Sequence, residues 1–127
     1  VFSIPAVKAI EFGSGFLGSE KKGSENNDLF TIKNGNIVTK TNNAGGILGG
    51  LSNGMPIRMR IGFKPASSIG RTQRTLDIST LSEIDLTVTG RHDPCVVPRA
   101  PPVVESIVSV IIADHALRSG FIGTVLE

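Results

Sequence analysis

The feature that most limits how this chain can fold is an apolar run near its C-terminal end that suits a helix but no single partner surface. Over residues 103–117, Val104, Ile107, Val108, Ile111, Ile112 and His115 recur at helical spacing, while Val103 and Val110 carry apolar surface round the far side. Such a helix has to be covered on more than one side. Pro101 and Pro102 precede it, in a first turn where a missing N–H leaves no bond unmade, and Gly120 follows where a C-terminal cap belongs. Glu105, Ser106, Ser109, Asp114 and His115 interrupt the run, which predicts a core helix that falls short of a membrane span.

A chain of 127 residues has sequence for one modest domain, and covering both sides of such a helix asks for more layers than the remainder supplies. The opening Val1-Phe2-Ser3-Ile4-Pro5 has neither an initiator Met nor a basic leader, so it reads as an interior stretch of a longer protein and not as a signal peptide. Residues 5–12 form a β-type run. Residues 29–32 and 37–41 flank Lys33-Asn34-Gly35-Asn36, whose Asn-Gly centre predicts a β-hairpin. Further strands are expected over residues 55–63, 75–78 and 84–88, whereas residues 20–28 are polar enough for a mobile surface loop without function. Antiparallel strands with one long buried helix make the class α+β, within a single incomplete domain.

Charge and composition narrow the partners. Thirteen Lys+Arg against eleven Asp+Glu leave a net charge of +2, too small for a long-range field toward nucleic acid or an anionic membrane. The chain has no Trp and no Tyr, so a basic stripe interleaved with stacking aromatics is absent too. One cysteine excludes an internal disulfide framework and any multi-cysteine metal site, and it fits a cytoplasmic setting.

Three segments could carry chemistry. Gly90-Arg91-His92-Asp93-Pro94-Cys95 packs cation, imidazole, carboxylate and thiol together; Arg91 and Arg99 offer planar forks for phosphate or carboxylate, and Asp93 can hold a proton or orient a donor. Cys95 reads as a buried structural thiol, and His115 as a core histidine. A second segment, Lys64-Pro65-Ala66-Ser67-Ser68, places one ammonium and two hydroxyls where they could grip a phosphate, or it is a serine-rich turn. Arg71 and Arg74 beyond it belong to the same basic patch or face water. The third is Gly45-Gly46 and Gly49-Gly50 with Ser52-Asn53-Gly54, which suits close backbone approach to a flat or anionic ligand, tight turning or close packing. Neither a dinucleotide-binding nor a P-loop glycine spacing occurs.

Taken in order, these segments resemble the C-terminal portion of the chorismate synthase family. The stretch from Ser3 and Ile4 through Val7, Lys8, Glu11, Gly13, Gly15 and Phe16 is similar to the family's S-I-x-A-V-K-G-x-E-x-G-x-G-F, with Ala9 in place of the usual glycine. Gly23-Ser24-Glu25-Asn26-Asn27-Asp28 resembles its G-S-x-x-N-D loop, and residues 44–54 its A-G-G-I-x-G-G-I-S-N-G. Residues 64–69 resemble K-P-T-x-S-I, with Ala66 for threonine, and residues 91–105 the C-terminal signature. The resemblance runs from residue 3 to about Arg118, and Asn43 stands where some relatives carry histidine.

The resemblance implies a lyase that converts 5-enolpyruvylshikimate 3-phosphate to chorismate by 1,4-anti elimination of phosphate, in the shikimate pathway, using reduced FMN with NADP as the associated nicotinamide nucleotide. It implies FMN contacts at Pro5, Ala6, Gly49, Lys64, Pro65, Ala66, Ser67, Ser68 and Arg91, a substrate contact at Arg91, and a catalytic role for Asp93 in proton transfer at the flavin N5. It further implies a larger β-α-β sandwich, a homotetramer, and the remainder of the same enzyme as partner, since the family's N-terminal G-E-S-H and its arginine- and serine-rich motif do not occur here. The alternative is a non-catalytic FMN-binding or assembly fragment of that enzyme. No metal, membrane or nucleic acid is expected.

Overall fold

The computed structural model describes residues 1–123 and divides into two compact units, one built from Phe2–Gly62 and the other from the chain beyond it. Strands arranged as antiparallel hairpins, followed by a C-terminal helix, place the chain in the expected α+β class.

In the first unit, strand β1 (Val7–Phe12) lies beside β6 (Met59–Phe63). The pairing accommodates Ala9: a Cβ at Gly62 would lie 3.1 Å from the Ala9 methyl, so the glycine leaves the space that the alanine fills. Beyond β1 come two short helices, α1 (Gly15–Ser19) and α2 (Gly23–Asn26). Within the polar stretch 20–28, expected as a surface loop, residues 23–26 are helical. Glu25 reaches back to the Lys22 N–H at 3.0 Å, satisfying a donor that the start of α2 would leave orphaned.

The hairpin of β2 (Phe30–Lys33) and β3 (Asn36–Thr39) forms as expected, with Phe30 opposite Thr39 and Lys33 opposite Asn36. Asn34 and Gly35 stand at φ 53° and 77°, the positive pair that a type I′ turn requires. A second hairpin of the same design, not foreseen as such, joins β4 (Ile47–Leu48) to β5 (Leu51–Ser52) through Gly49 and Gly50 at φ 60° and 81°.

In the second unit, β7 (Gln73–Asp77) pairs antiparallel with β8 (Ser82–Leu86). Arg74 binds Glu83 across this hairpin at 2.8 Å, so it belongs to a strand pair and not to a free basic patch. A 3-10 turn over Val97–Arg99 leads into α3 (Ala100–Arg118), longer than its apolar spacing predicts because Pro101 and Pro102 lie inside its first turn. Gly120 at φ 74° ends it, and the Phe121 N–H reaches the Ala116 carbonyl at 3.0 Å.

The long helix is mostly uncovered among the described residues, as the reading that this segment is too small to cover both its sides requires: Ala100 is the buried residue of α3, while Val103, Val110, Ile111, Ile112 and Leu117 are 43–69% exposed. The helical stretch Val97–Arg118 is also long and apolar enough to cross a membrane by length and composition, which the interrupting polar residues had argued against. Among the described residues Ile4, Val7 and Ala100 carry the buried apolar side chains, a very small core for a chain this long.

Candidate functional site

The E-x-G-x-G-F stretch acts through backbone geometry. The Glu11 carboxylate accepts the Phe16 N–H at 3.1 Å and forms an ion pair with Arg60 on β6. Gly15 permits this, since a Cβ there would sit 2.1 Å from Glu11 Oε2. The Phe16 amide, with Arg60 beside it, holds the Glu11 carboxyl below the ordinary glutamate value. Glu11, Phe16 and Arg60 line an open groove of about 350 Å³ on β1 and β6. Because Glu11 neutralises Arg60, the groove offers no free cation for a phosphate.

At the head of β1, Pro5 is exposed and Ala6 takes a left-handed backbone at φ 68°, uncommon for a residue with a Cβ. Ile4 and Val7 on either side are buried, and the Val7 N–H closes the turn on the Ile4 carbonyl at 3.2 Å. Packing on both flanks holds the strained residue between them.

The two glycine pairs have different tasks. Gly45 and Gly46 are close-packed: added Cβ atoms would lie 2.4 Å from Gly13 N and 2.6 Å from the Pro56 carbonyl. Gly49 and Gly50 form an exposed hairpin tip with nothing within 4 Å of either added Cβ, so the turn and not close packing asks for glycine there.

Asp28, in the stretch expected to lack function, ties this region together. Its carboxylate accepts the Thr41 hydroxyl at 2.5 Å and the N–H groups of Asn43 and Ala44 at 2.8 Å each. Burial pushes the Asp28 carboxyl up, but those hydrogen bonds outweigh it and hold it below the ordinary aspartate value. Nearby, the Asn43 side-chain amide donates to the Asn26 carbonyl at 3.0 Å, and the Ser14 N–H to the Asn43 carbonyl at 2.8 Å.

In the second unit, Lys64, Pro65, Ser67 and Ser68 are exposed and Ala66 is half-buried. Neither the Lys64 ammonium nor the two serine hydroxyls make a side-chain hydrogen bond or ion pair among the described residues. Gly90 at φ 141° opens the segment with Arg91, His92 and Asp93, and His92 Nε2 lies 3.1 Å from the Val88 carbonyl. Arg99 binds Asp93 through both guanidinium nitrogens, at 2.9 and 3.2 Å. Its fork is therefore occupied, whereas Arg91 is exposed and lies outside any ion pair among the described residues. Cys95 is exposed, not buried, and His115 is exposed in the last turn of α3, not in a core. Both side chains are uncovered among the described residues, so the expected burial of neither is met there.

The candidate residues thus divide between the units: Pro5, Ala6 and Gly49 lie in the first, and residues 64–68, Arg91 and Asp93 in the second. Glu11, Arg60 and Asp28 were missed, although E-x-G-x-G-F and N-D carried their signal.

Comparison with known proteins decides what this arrangement is part of. The model of the chorismate synthase family matches residues 1–117, nearly the whole described chain. The chain belongs to the chorismate synthase family. It is 52% identical over 118 residues to a chorismate synthase of Thermococcus gammatolerans, covering 93% of this chain and 33% of that protein. Against the chorismate synthase of Archaeoglobus fulgidus the identity is 53% over 122 residues, 96% of this chain and 34% of the other. Against that of Pyrococcus abyssi it is 54% over 116 residues, 91% and 33%. The chain spans about a third of the length of the curated chorismate synthases it matches.

Proposed function

We propose that residues 1–127 act as the C-terminal third of a chorismate synthase, a lyase eliminating phosphate from 5-enolpyruvylshikimate 3-phosphate in 1,4-anti fashion to yield chorismate. The observation that carries this reading is the identity of about one residue in two, over nearly the whole chain, to several proteins of that name.

The residues present fit reduced FMN, which when bound supplies the electron-rich chemistry of the elimination. Open glycine backbone at Gly49 suits a planar ring, and Pro5 and Ala6 offer a second rigid backbone edge. The Lys64 ammonium and the Ser67 and Ser68 hydroxyls, free of internal partners among the described residues, suit the flavin phosphate, with Pro65 and Ala66 setting their backbone. Arg91, outside any ion pair among the described residues, has a fork that suits an anionic group of cofactor or substrate. Asp93 holds or moves a proton at its carboxylate oxygens, and the two bonds from Arg99 set the plane of that carboxylate.

Cover for α3 comes from the remainder of the same enzyme, in a larger β-α-β sandwich. Its apolar residues, exposed round the helix, support that placement. The whole enzyme is a cytoplasmic homotetramer with no nucleic-acid or membrane partner, and NADP is its associated nicotinamide nucleotide.

The test is anaerobic chorismate formation and FMN titration, on the full-length protein carrying this segment and on residues 1–127 alone. Turnover by the full-length protein only is expected. Failure of the full-length protein to bind FMN overturns the reading, and chorismate formation by residues 1–127 overturns their incompleteness. FMN binding without turnover by the full-length protein favours a non-catalytic FMN-binding or assembly fragment.

A further inference from the structure

We infer that Asp28 is a positioning residue for the flavin-facing glycine turn, acting through the loop 41–45 and not by contact with any ligand. The inference rests on the flavin reading of Gly49 above.

Two consecutive backbone amides, of Asn43 and Ala44, point at one carboxylate, each at 2.8 Å, and the Thr41 hydroxyl meets the same group. Hydrogen bonds to an ionised acceptor are about twice as strong as neutral ones, so this is the firmest tether on the loop. Directly after it the chain is committed on both sides. The Gly45 carbonyl accepts the Arg58 N–H at 3.0 Å, and the Gly46 carbonyl accepts the Asn53 N–H at 3.1 Å. A Cβ at either glycine would overlap main-chain atoms, of Gly13 and Arg58 at Gly45 and of Met55 and Pro56 at Gly46, so the backbone is close-packed there. The β4–β5 hairpin begins at the next residue, Ile47, and its tip is Gly49-Gly50. That tip has no packing of its own, since nothing lies within 4 Å of either glycine's missing Cβ. Its position is therefore inherited from the base of the hairpin, which the bonds from Arg58 and Asn53 hold on one side and Asp28, through residues 41–44, holds on the other.

An amide in place of the carboxylate cannot reproduce this. In Asp28→Asn one oxygen can still accept from Thr41 and Asn43, but the other position becomes an NH2 group facing the Ala44 N–H, donor against donor. Thr41→Val withdraws one donor from the carboxylate, together with the 3.4 Å bond that the Thr41 hydroxyl accepts from the Asn43 side-chain amide, and keeps the side-chain shape.

The experiment is FMN titration of the full-length protein, followed by the flavin absorbance change, with turnover measured in parallel at saturating FMN. Asp28→Asn is expected to raise the FMN Kd about tenfold and Thr41→Val about threefold, with kcat at saturating FMN within about twofold of the parent. Combined with Gly49→Ala, either change should raise Kd by less than the product of the single effects, because both act on the same turn. An unchanged Kd in Asp28→Asn, or effects that multiply independently with Gly49→Ala, overturns the inference. If Asp28→Asn fails to fold, the Thr41→Val cycle decides in the same way. Absence of FMN binding by the unmutated protein would overturn the flavin reading instead.

Discussion

Gly13→Ala separates two reasons for a glycine that the sequence cannot tell apart. Gly13 stands at φ 56°, and a Cβ there would lie 1.9 Å from the Asn43 carbonyl oxygen and 2.5 Å from Gly45 N, both main-chain atoms that cannot rotate away. The left-handed backbone alone costs an alanine roughly 1–2 kcal/mol. Relieving the overlap must also part the strands of chain around it, loosening the bonds from Gly13 N–H to the Arg58 carbonyl at 3.0 Å and from Ser14 N–H to the Asn43 carbonyl at 2.8 Å. At roughly 0.5–1.5 kcal/mol for each bond, the total expected loss is about 2–5 kcal/mol. Gly49→Ala is the contrast: its φ of 60° is nearly the same but its Cβ meets nothing, so only the roughly 1–2 kcal/mol backbone term applies. Gly23→Ala, in α2 with open space and an ordinary φ, should be neutral or stabilising by up to about 1 kcal/mol. Urea unfolding of the full-length protein without FMN, compared at constant m-value, measures all three. If Gly13→Ala costs no more than Gly49→Ala, the close approach of the Gly13 and Asn43 backbones is not what requires glycine there.

Further outcomes follow from the proposed site. Lys64→Ala should weaken FMN binding by about one to two orders of magnitude, as expected for loss of one charge-assisted bond, and an unchanged titration would remove Lys64 from the site. Asp93→Asn should slow single-turnover chorismate formation by about 10²–10⁴-fold with FMN affinity nearly unchanged; a loss traceable to FMN binding alone would make residues 90–95 a binding loop. Stability against acid should carry the mark of Asp28. Its carboxyl is held below the ordinary aspartate value of 3.8, so its stabilising contribution is present above about pH 4 and is lost as pH falls through the lowered value. The urea midpoint of Asp28→Asn should therefore fall less steeply below pH 4 than that of the parent, and parallel curves would deny Asp28 that part.

The sequence by itself determined the elements whose physics is local. Asn34-Gly35 marks a hairpin because two positive φ angles in a row favour those residues, and Pro101, Pro102 and Gly120 bracket α3 because helix ends have their own hydrogen-bond demands. Ordered motifs also carried the family, since shared residue patterns survive without knowledge of their contacts. What only the tertiary structure decided are the partnerships between residues distant in the chain. Asp28 looks like one more polar residue of a loop until the fold brings residues 41–44 to its carboxylate. Arg99 looks like a free fork until it closes on Asp93, and Gly45 like a ligand-binding glycine until it lies against Gly13. The same holds for α3, Cys95 and His115. Spacing shows which faces are apolar, but burial depends on whether another layer arrives to cover them, and among the described residues most of that helix is uncovered.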